Sequence, residues 1–203
     1  MKVFIYCRYP ETGKVKTRLA AECGEKAALT VYLKLVNSVF TNINASGYSF
    51  EVHYTGGEKA AVERWLEGKP CRPQSEGDLG DRLKHSVNCW FEENDQPLVI
   101  IGSDQPDVGE AILKETEKGL KKNDVVLGPA KDGGYYLIAV NNNHPHLFEN
   151  ISWGTDKVFQ QTLERIQEEG LSFYLLEEKV DIDCLADVPG EWIKELRLHE
   201  DSD

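Results

Sequence analysis

Two unbroken apolar runs, each released into a turn that carries a carboxylate, constrain this chain more than any other feature. Leu98-Val99-Ile100-Ile101 ends in Gly102-Ser103-Asp104-Gln105-Pro106-Asp107. Val125-Val126-Leu127 ends in Gly128-Pro129-Ala130-Lys131-Asp132-Gly133-Gly134, and Tyr135-Tyr136-Leu137-Ile138-Ala139 follows. A short strand that is apolar at every position is covered on both faces, as inside an α/β sheet. In open sheets of that kind, ligands bind outside the C-terminal ends of the strands. The turns after these two runs are therefore where a site is expected.

Composition bounds the answer. The chain has 203 residues, enough for a substantial core, and no repeat or low-complexity segment divides it, so one domain over residues 1–203 is expected. An apolar fraction of 40% with four Trp and eight Tyr belongs to a globular protein. The opening Met1-Lys2-Val3-Phe4-Ile5-Tyr6-Cys7 is too short an apolar run for a signal peptide, and no run reaches a membrane span. Five scattered cysteines without Cys-x-x-Cys spacing fit reduced thiols in the cytoplasm. The net charge of −12 argues against general nucleic-acid binding, which needs a basic face. Against that background a local cluster of cations is informative.

Such a cluster follows the first predicted strand, Lys2 to Cys7. Arg8, Lys14, Lys16 and Arg18 fall in one strand-to-helix connection, before a helix whose Ala28, Val31, Tyr32, Leu35, Val36, Val39, Phe40 and Ile43 repeat at helical spacing. Helix N-terminal amides joined by Lys and Arg make an anion site, here for a diphosphate; the competing reading is a solvated basic turn. Neither a Walker loop nor Gly-x-Gly-x-x-Gly is present.

Phe50 to Tyr54 reads as a second strand, Glu58 to Leu66 as a short helix, and the region around Arg72-Pro73-Gln74 as a third strand or extended segment. Gly77 and Gly80 then bracket Asp78 before a helix expected to place Leu79, Leu83, Val87 and Trp90 (or Phe91) on one face. The glycines give the backbone room, and Asp78 either caps the helix or contacts a ribose. Asp104 suits a hard divalent cation, which binds through one or two carboxylates and substrate phosphates. Its competing role, capping the helix that begins near Gly109, is assigned by position to Asp107. Asp132-Gly133-Gly134 reads as a hairpin turn, with an acceptor floor beside Tyr135 and Tyr136 as the alternative. His144 and His146, two apart beside a proline, read as surface. Trp153 precedes a helix with Val158, Leu163 and Ile166, as a hydrophobic staple or a pocket wall. Phe173 to Leu176 is a late strand, and Val188 to Leu198 a last helix before a solvated acidic tail.

The motifs Arg8…Gly13…Lys16-Thr17-Arg18-Leu19, Gly77-Asp78-Leu79-Gly80…Arg82-Leu83, Gly102 to Asp107, Leu127 to Ile138 and Trp153-Gly154-Thr155, in this order, resemble a family of small bacterial glycosyltransferase-like proteins. Some of these are tied to arsenosugar or radical-SAM gene clusters. The resemblance spans nearly the whole chain. It implies an α/β fold: a three-layer α/β/α sandwich with a mostly parallel mixed sheet, of the nucleotide-diphospho-sugar transferase (glycosyltransferase-A) type. It would place Arg8, Gly13, Lys16, Arg18 and Ser103 at the nucleotide phosphates. Gly77, Asp78 and Gly80 would lie near the nucleoside, and Gly133, Gly134, Tyr135, Trp153 and Thr155 around the acceptor. Asp104 would hold Mg²⁺ or Mn²⁺, with Asp183 as second ligand. Two departures stand out: Asp104-Gln105-Pro106 supplies one carboxylate where many such transferases carry Asp-x-Asp, and Cys184-Leu185 replaces Thr-Pro.

The implied reaction is glycosyl transfer from a nucleotide-sugar to a small acceptor, with Asp104 on the metal and Asp132 as acceptor-side base. Nucleotidyl transfer from a nucleoside triphosphate uses the same cation loop and single Asp. A non-catalytic nucleotide-binding protein of the same fold is the third reading. Neither the oligomeric state nor the identities of donor and acceptor follow from the sequence.

Overall fold

The computed structural model describes residues 1–194. In chain order the elements are β1 (Lys2–Arg8), α1 (Thr17–Cys23), α2 (Glu25–Ala45), β2 (Ser49–Thr55), α3 (Lys59–Leu66), β3 (Cys71–Pro73), α4 (Leu79–Glu93), β4 (Leu98–Gly102), α5 (Glu110–Leu120), β5 (Val125–Pro129), β6 (Tyr135–Val140), α6 (Val158–Glu168) and β7 (Phe173–Leu175). Short 3₁₀ turns lie at Pro145–Phe148 and Leu185–Asp187. The expected last helix has its first turn at residues 190–194; its remainder and the acidic tail lie outside the described residues.

One sheet orders the strands β3-β2-β1-β4-β6-β5-β7, and β6 alone of these runs antiparallel to its neighbours. Alternation along each strand sorts the core into two layers. Val3, Ile5, Cys7, Val99 and Ile101 face α2, α3 and α5, whereas Phe4, Tyr6, Leu98 and Ile100 face α4 and α6. This is the expected three-layer α/β/α sandwich with a mostly parallel mixed sheet. The β5–β6 hairpin also stands, with a bulge at Gly128/Pro129.

The hairpin has a consequence for the site. Because β6 reverses between β4 and β5, the two apolar runs are not neighbours, yet both point the same way. The C-terminal ends of β1, β2, β3, β4, β5 and β7 therefore all open on one edge of the sheet.

Two expectations are corrected. Asp107 does not cap α5: the N-cap is Gly109, without a side-chain hydrogen bond, and the Asp107 carboxylate lies 3.9 Å from Lys179. Leu79 does not share the buried face of Leu83 and Val87 but is 42% exposed. It is the first residue of α4, before the helix has turned onto the sheet.

Asp78 is the N-cap of α4, in a reciprocal box with Asp81. Gly80 is buried beneath Trp153, which stands edge-on to Tyr135. A methyl group there would meet the Trp153 indole nitrogen and come within 2.8 Å of the Phe148 carbonyl oxygen. Gly80→Ala is thus expected to destabilise the fold by about 1–3 kcal/mol through overpacking, read as a lowered denaturation midpoint.

A buried histidine makes the fold acid-sensitive. His53 on β2 stacks on Phe4, has Ser86 Oγ 3.2 Å from its Nδ1, and is 2% exposed. Burial first, then Arg72, Lys2 and His85, push its pKa down to about 3. The ring is neutral at pH 7, so its 3.8 Å approach to Glu51 is not an ion pair there. The unfolded chain takes up this proton near pH 6.5 and the native chain only near 3, so stability is lost as pH falls through that window. Each pH unit inside it is expected to cost about 1.4 kcal/mol. Denaturation midpoints from pH 7 to 4 should fall more steeply for the wild type than for His53→Phe.

Candidate active site

The shared edge holds a cavity of about 380 Å³ whose walls include Tyr6, Arg8, Lys16, Arg18, Ser103, Asp104 and Asp183. Its centre is one ammonium group. Lys16 Nζ lies 2.7 Å from Asp104 Oδ1 and 2.7 Å from Asp183 Oδ1. The two oxygens are therefore no farther apart than twice that distance, although their residues are widely separated in sequence. The Lys16 side chain is 6% exposed, against 46% for Asp104 and 38% for Asp183. Burial works to lower the Lys16 pKa, but Asp104 and then Asp183 outweigh it and the net shift is upward. Lys16 is charged.

Each element places one part. The Tyr32 hydroxyl on α2 accepts from the Arg8 amide at 2.8 Å and donates to the Arg8 carbonyl at 2.7 Å, fixing the end of β1. Arg8 in turn reaches the Lys14 carbonyl at 2.9 Å and arches the loop. Lys16 sits in the left-handed region at φ 46°, directly before α1. β4 delivers Ser103 and Asp104. The Gln105 amide, 4% exposed, donates to the Val180 carbonyl at 3.0 Å and ties the segment after β7 to the same edge. Beyond Asp183, the Asp187 carboxylate accepts from the Asp183 and Cys184 amides and the Cys184 thiol. Cys184 thus holds this turn in the position where the resemblance has Thr.

One residue that sequence reasoning passed over is Asp181. It is mostly buried, and its Oδ1 has no hydrogen-bond partner. Burial raises its pKa to about 7, helped by Asp104, Asp132 and Asp183 and opposed by Lys16. Three other carboxylates therefore act on Asp181 here. Spacing in Asp181-Ile182-Asp183 was the available signal: on an extended segment both acids fall on one side while Ile182 is buried.

The other expected site residues are placed as follows. Gly13 faces the Glu25 side chain, with φ 75°. Gly77, Asp78 and Gly80 build the start of α4 and are not in the wall of the cavity at Lys16. Asp132 is exposed and accepts from the Gly134 amide at 2.9 Å. Gly133 is backed by the Asp156 backbone, and its carbonyl accepts from the Phe159 amide at 2.8 Å. Tyr135 and Trp153 pack together in the α4/α6 layer, and Thr155 donates to the Ser152 carbonyl at 2.7 Å. This second group forms a joint between the hairpin and α6, beside the cavity rather than in its wall. His144 and His146 flank Pro145, where His146 lies 3.1 Å from Glu149.

Among the described residues no three His, Cys, Asp or Glu side chains form a ready metal cage. Asp104 and Asp183 nevertheless fit a hard cation: both are half-exposed oxygen donors, close enough to share one positive centre, as Lys16 demonstrates. Two carboxylates completed by phosphate oxygens and water are an ordinary environment for Mg²⁺.

This α/β architecture, with a seven-stranded mostly parallel mixed sheet, is the nucleotide-diphospho-sugar transferase fold, which nucleotidyltransferases share. The chain belongs to the family described as "uncharacterized protein conserved in bacteria (DUF2064)", whose profile matches residues 39–155. Among solved structures it is similar to a protein from Desulfovibrio desulfuricans G20 provisionally named a nucleotide-diphospho-sugar transferase. The TM-score is 0.86 at 26% identity, over 99% of this chain and 95% of that one. It is also similar to the inositol-1-phosphate CTP transferase of T. maritima (TM-score 0.59, 15% identity, 96% and 94% covered). A third is the 4-diphosphocytidyl-2C-methyl-D-erythritol synthase of Anaerococcus prevotii DSM 20548 (0.63, 9%, 98% and 97%). The first two are transferases by name and the third a synthase; the latter two share the fold. No curated protein matches the sequence. Among the described residues no helix is long and apolar enough to cross a membrane.

Proposed function

We propose that this protein transfers a glycosyl group from a nucleotide-diphospho-sugar to a small acceptor, assisted by a divalent cation. The observation that carries the reading is the clasp of Lys16 between Asp104 and Asp183, set among Arg8 and Arg18 on the edge where the strands end. Lys16, Arg8 and Arg18 bind the diphosphate, with Ser103 in the same wall; charge-assisted contacts of this kind are the strong ones. Asp104 and Asp183 would hold Mg²⁺ or Mn²⁺, which would supply positive charge against the negative charge of a leaving nucleoside diphosphate. Asp132, exposed at the hairpin tip and within electrostatic reach of Asp181, is the acceptor-side base, because a carboxylate must reach the attacking hydroxyl.

Nucleotidyl transfer is the second reading. It is favoured by the lone carboxylate in Asp104-Gln105-Pro106 and by the CTP-dependent name of one structure that shares the fold. A thermal-shift screen of nucleotide-sugars and nucleoside triphosphates, with and without Mn²⁺, identifies the donor, because a ligand of the native state raises the melting point. Incubation with a phosphorylated acceptor then separates the reactions: only nucleotidyl transfer releases pyrophosphate. Asp104→Ala is expected to abolish Mn²⁺-dependent donor binding. An unchanged donor affinity in that variant would count against either reaction at this site.

A further inference from the structure

We propose that Lys16 makes the metal site conditional on the nucleotide: its ammonium occupies the place between Asp104 and Asp183 until phosphate draws it away. This rests on the reading of those acids as metal ligands and adds an order of assembly to it.

The geometry leaves no room for both cations. Lys16 Nζ touches one oxygen of each carboxylate at 2.7 Å. A divalent ion sharing the same two oxygens would sit at contact distance from the ammonium, and like charges that close repel strongly in a partly buried site. The lysine is also held under tension. A non-glycine residue at φ 46°, ψ 50° is in the left-handed region, which side chains avoid. Thr17 next to it already begins α1, and no side chain caps that helix. The contacts in place to retain Lys16 are thus the two carboxylates. A diphosphate entering between Arg8 and Arg18 offers the ammonium several negative charges. Once Lys16 turns to it, Asp104 loses the ammonium, Asp183 keeps only the exposed Arg18 at 3.7 Å, and the phosphate oxygens supply further ligands. By linkage, the metal must then raise nucleotide affinity by the same factor.

The test uses Mn²⁺ alone, followed by electron paramagnetic resonance of the free ion, without nucleotide. Wild type is expected to bind weakly and Lys16→Met about tenfold or more tightly, a difference of about 1.4 kcal/mol. The gain should disappear when Asp104→Ala is added. Lys179→Met removes a charge from the segment leading to Asp181, outside the clasp, and should match wild type. If the Met variant fails to fold, Lys16→Gln keeps a polar group there and gives the same comparison. Equal Mn²⁺ affinity in wild type and a folded Lys16 variant overturns the proposal. Asp104-dependent donor binding, measured separately, shows in that case that the metal site itself stands; its absence removes both.

Discussion

Lys16→Ala is expected to weaken binding of the nucleotide donor by about 100-fold, measured calorimetrically with saturating Mn²⁺. The same loop offers a ranking of its cations. Lys14 is 63% exposed and already paired with Glu11 at 2.7 Å, and Arg18 is 75% exposed. Charges that solvent screens contribute about 1 kcal/mol or less. Lys16 is buried to 6% exposure and aimed into the cavity by two acids, so its contact with phosphate forms where water competes least. Lys14→Ala should therefore cost no more than about threefold. Truncating Lys16 also leaves Asp104 and Asp183 facing each other, and a fall in metal-free stability of about 2 kcal/mol is expected. Near-equal effects of the two substitutions on donor affinity would remove Lys16 from the centre of the site.

Asp181→Asn is expected to move stability and activity in opposite directions. The carboxyl group is mostly buried, one oxygen has no partner, and Asp104, Asp132 and Asp183 all oppose its charge. An amide of the same shape carries none of that repulsion, so unfolding in metal-free buffer at neutral pH should become harder by about 2 kcal/mol. Such a gain is the usual mark of a group kept for function at the expense of stability. Turnover is expected to fall at least about tenfold, because Asp181 couples electrostatically to Asp104, Asp183 and Asp132. Denaturation curves and initial rates on one preparation decide the matter. A variant that is less stable than wild type would mean that Asp181 supports the fold instead.

How far the chain could be read in advance differs from one part to another. The strands announced themselves because burial on both faces requires apolar residues at every position, as in Leu98 to Ile101. The long helix showed through the period of Ala28 to Ile43, and the cation loop through its contrast with an acidic chain. Asp107 was misplaced because a cap depends on where the chain enters its helix, and that is set by the Pro106 turn against Asn42, whose amide donates to the Pro106 carbonyl. Trp153 and Gly80 were both noticed, but nothing linear says that one lies on the other. Asp181 was passed over for a related reason. Its character comes first from burial, and then from acids that β4 and the β5–β6 hairpin bring to its own segment.

Residue type and local period set the layers and the chemistry available: which runs are buried, which turns carry acids, and where cations collect. The tertiary structure alone decided what meets what. By reversing β6 it put β4, β5 and β7 in one direction, and so brought an acid from position 183 to a lysine at position 16. Contacts between segments so distant in sequence are set by packing of the whole sheet, which no short stretch encodes.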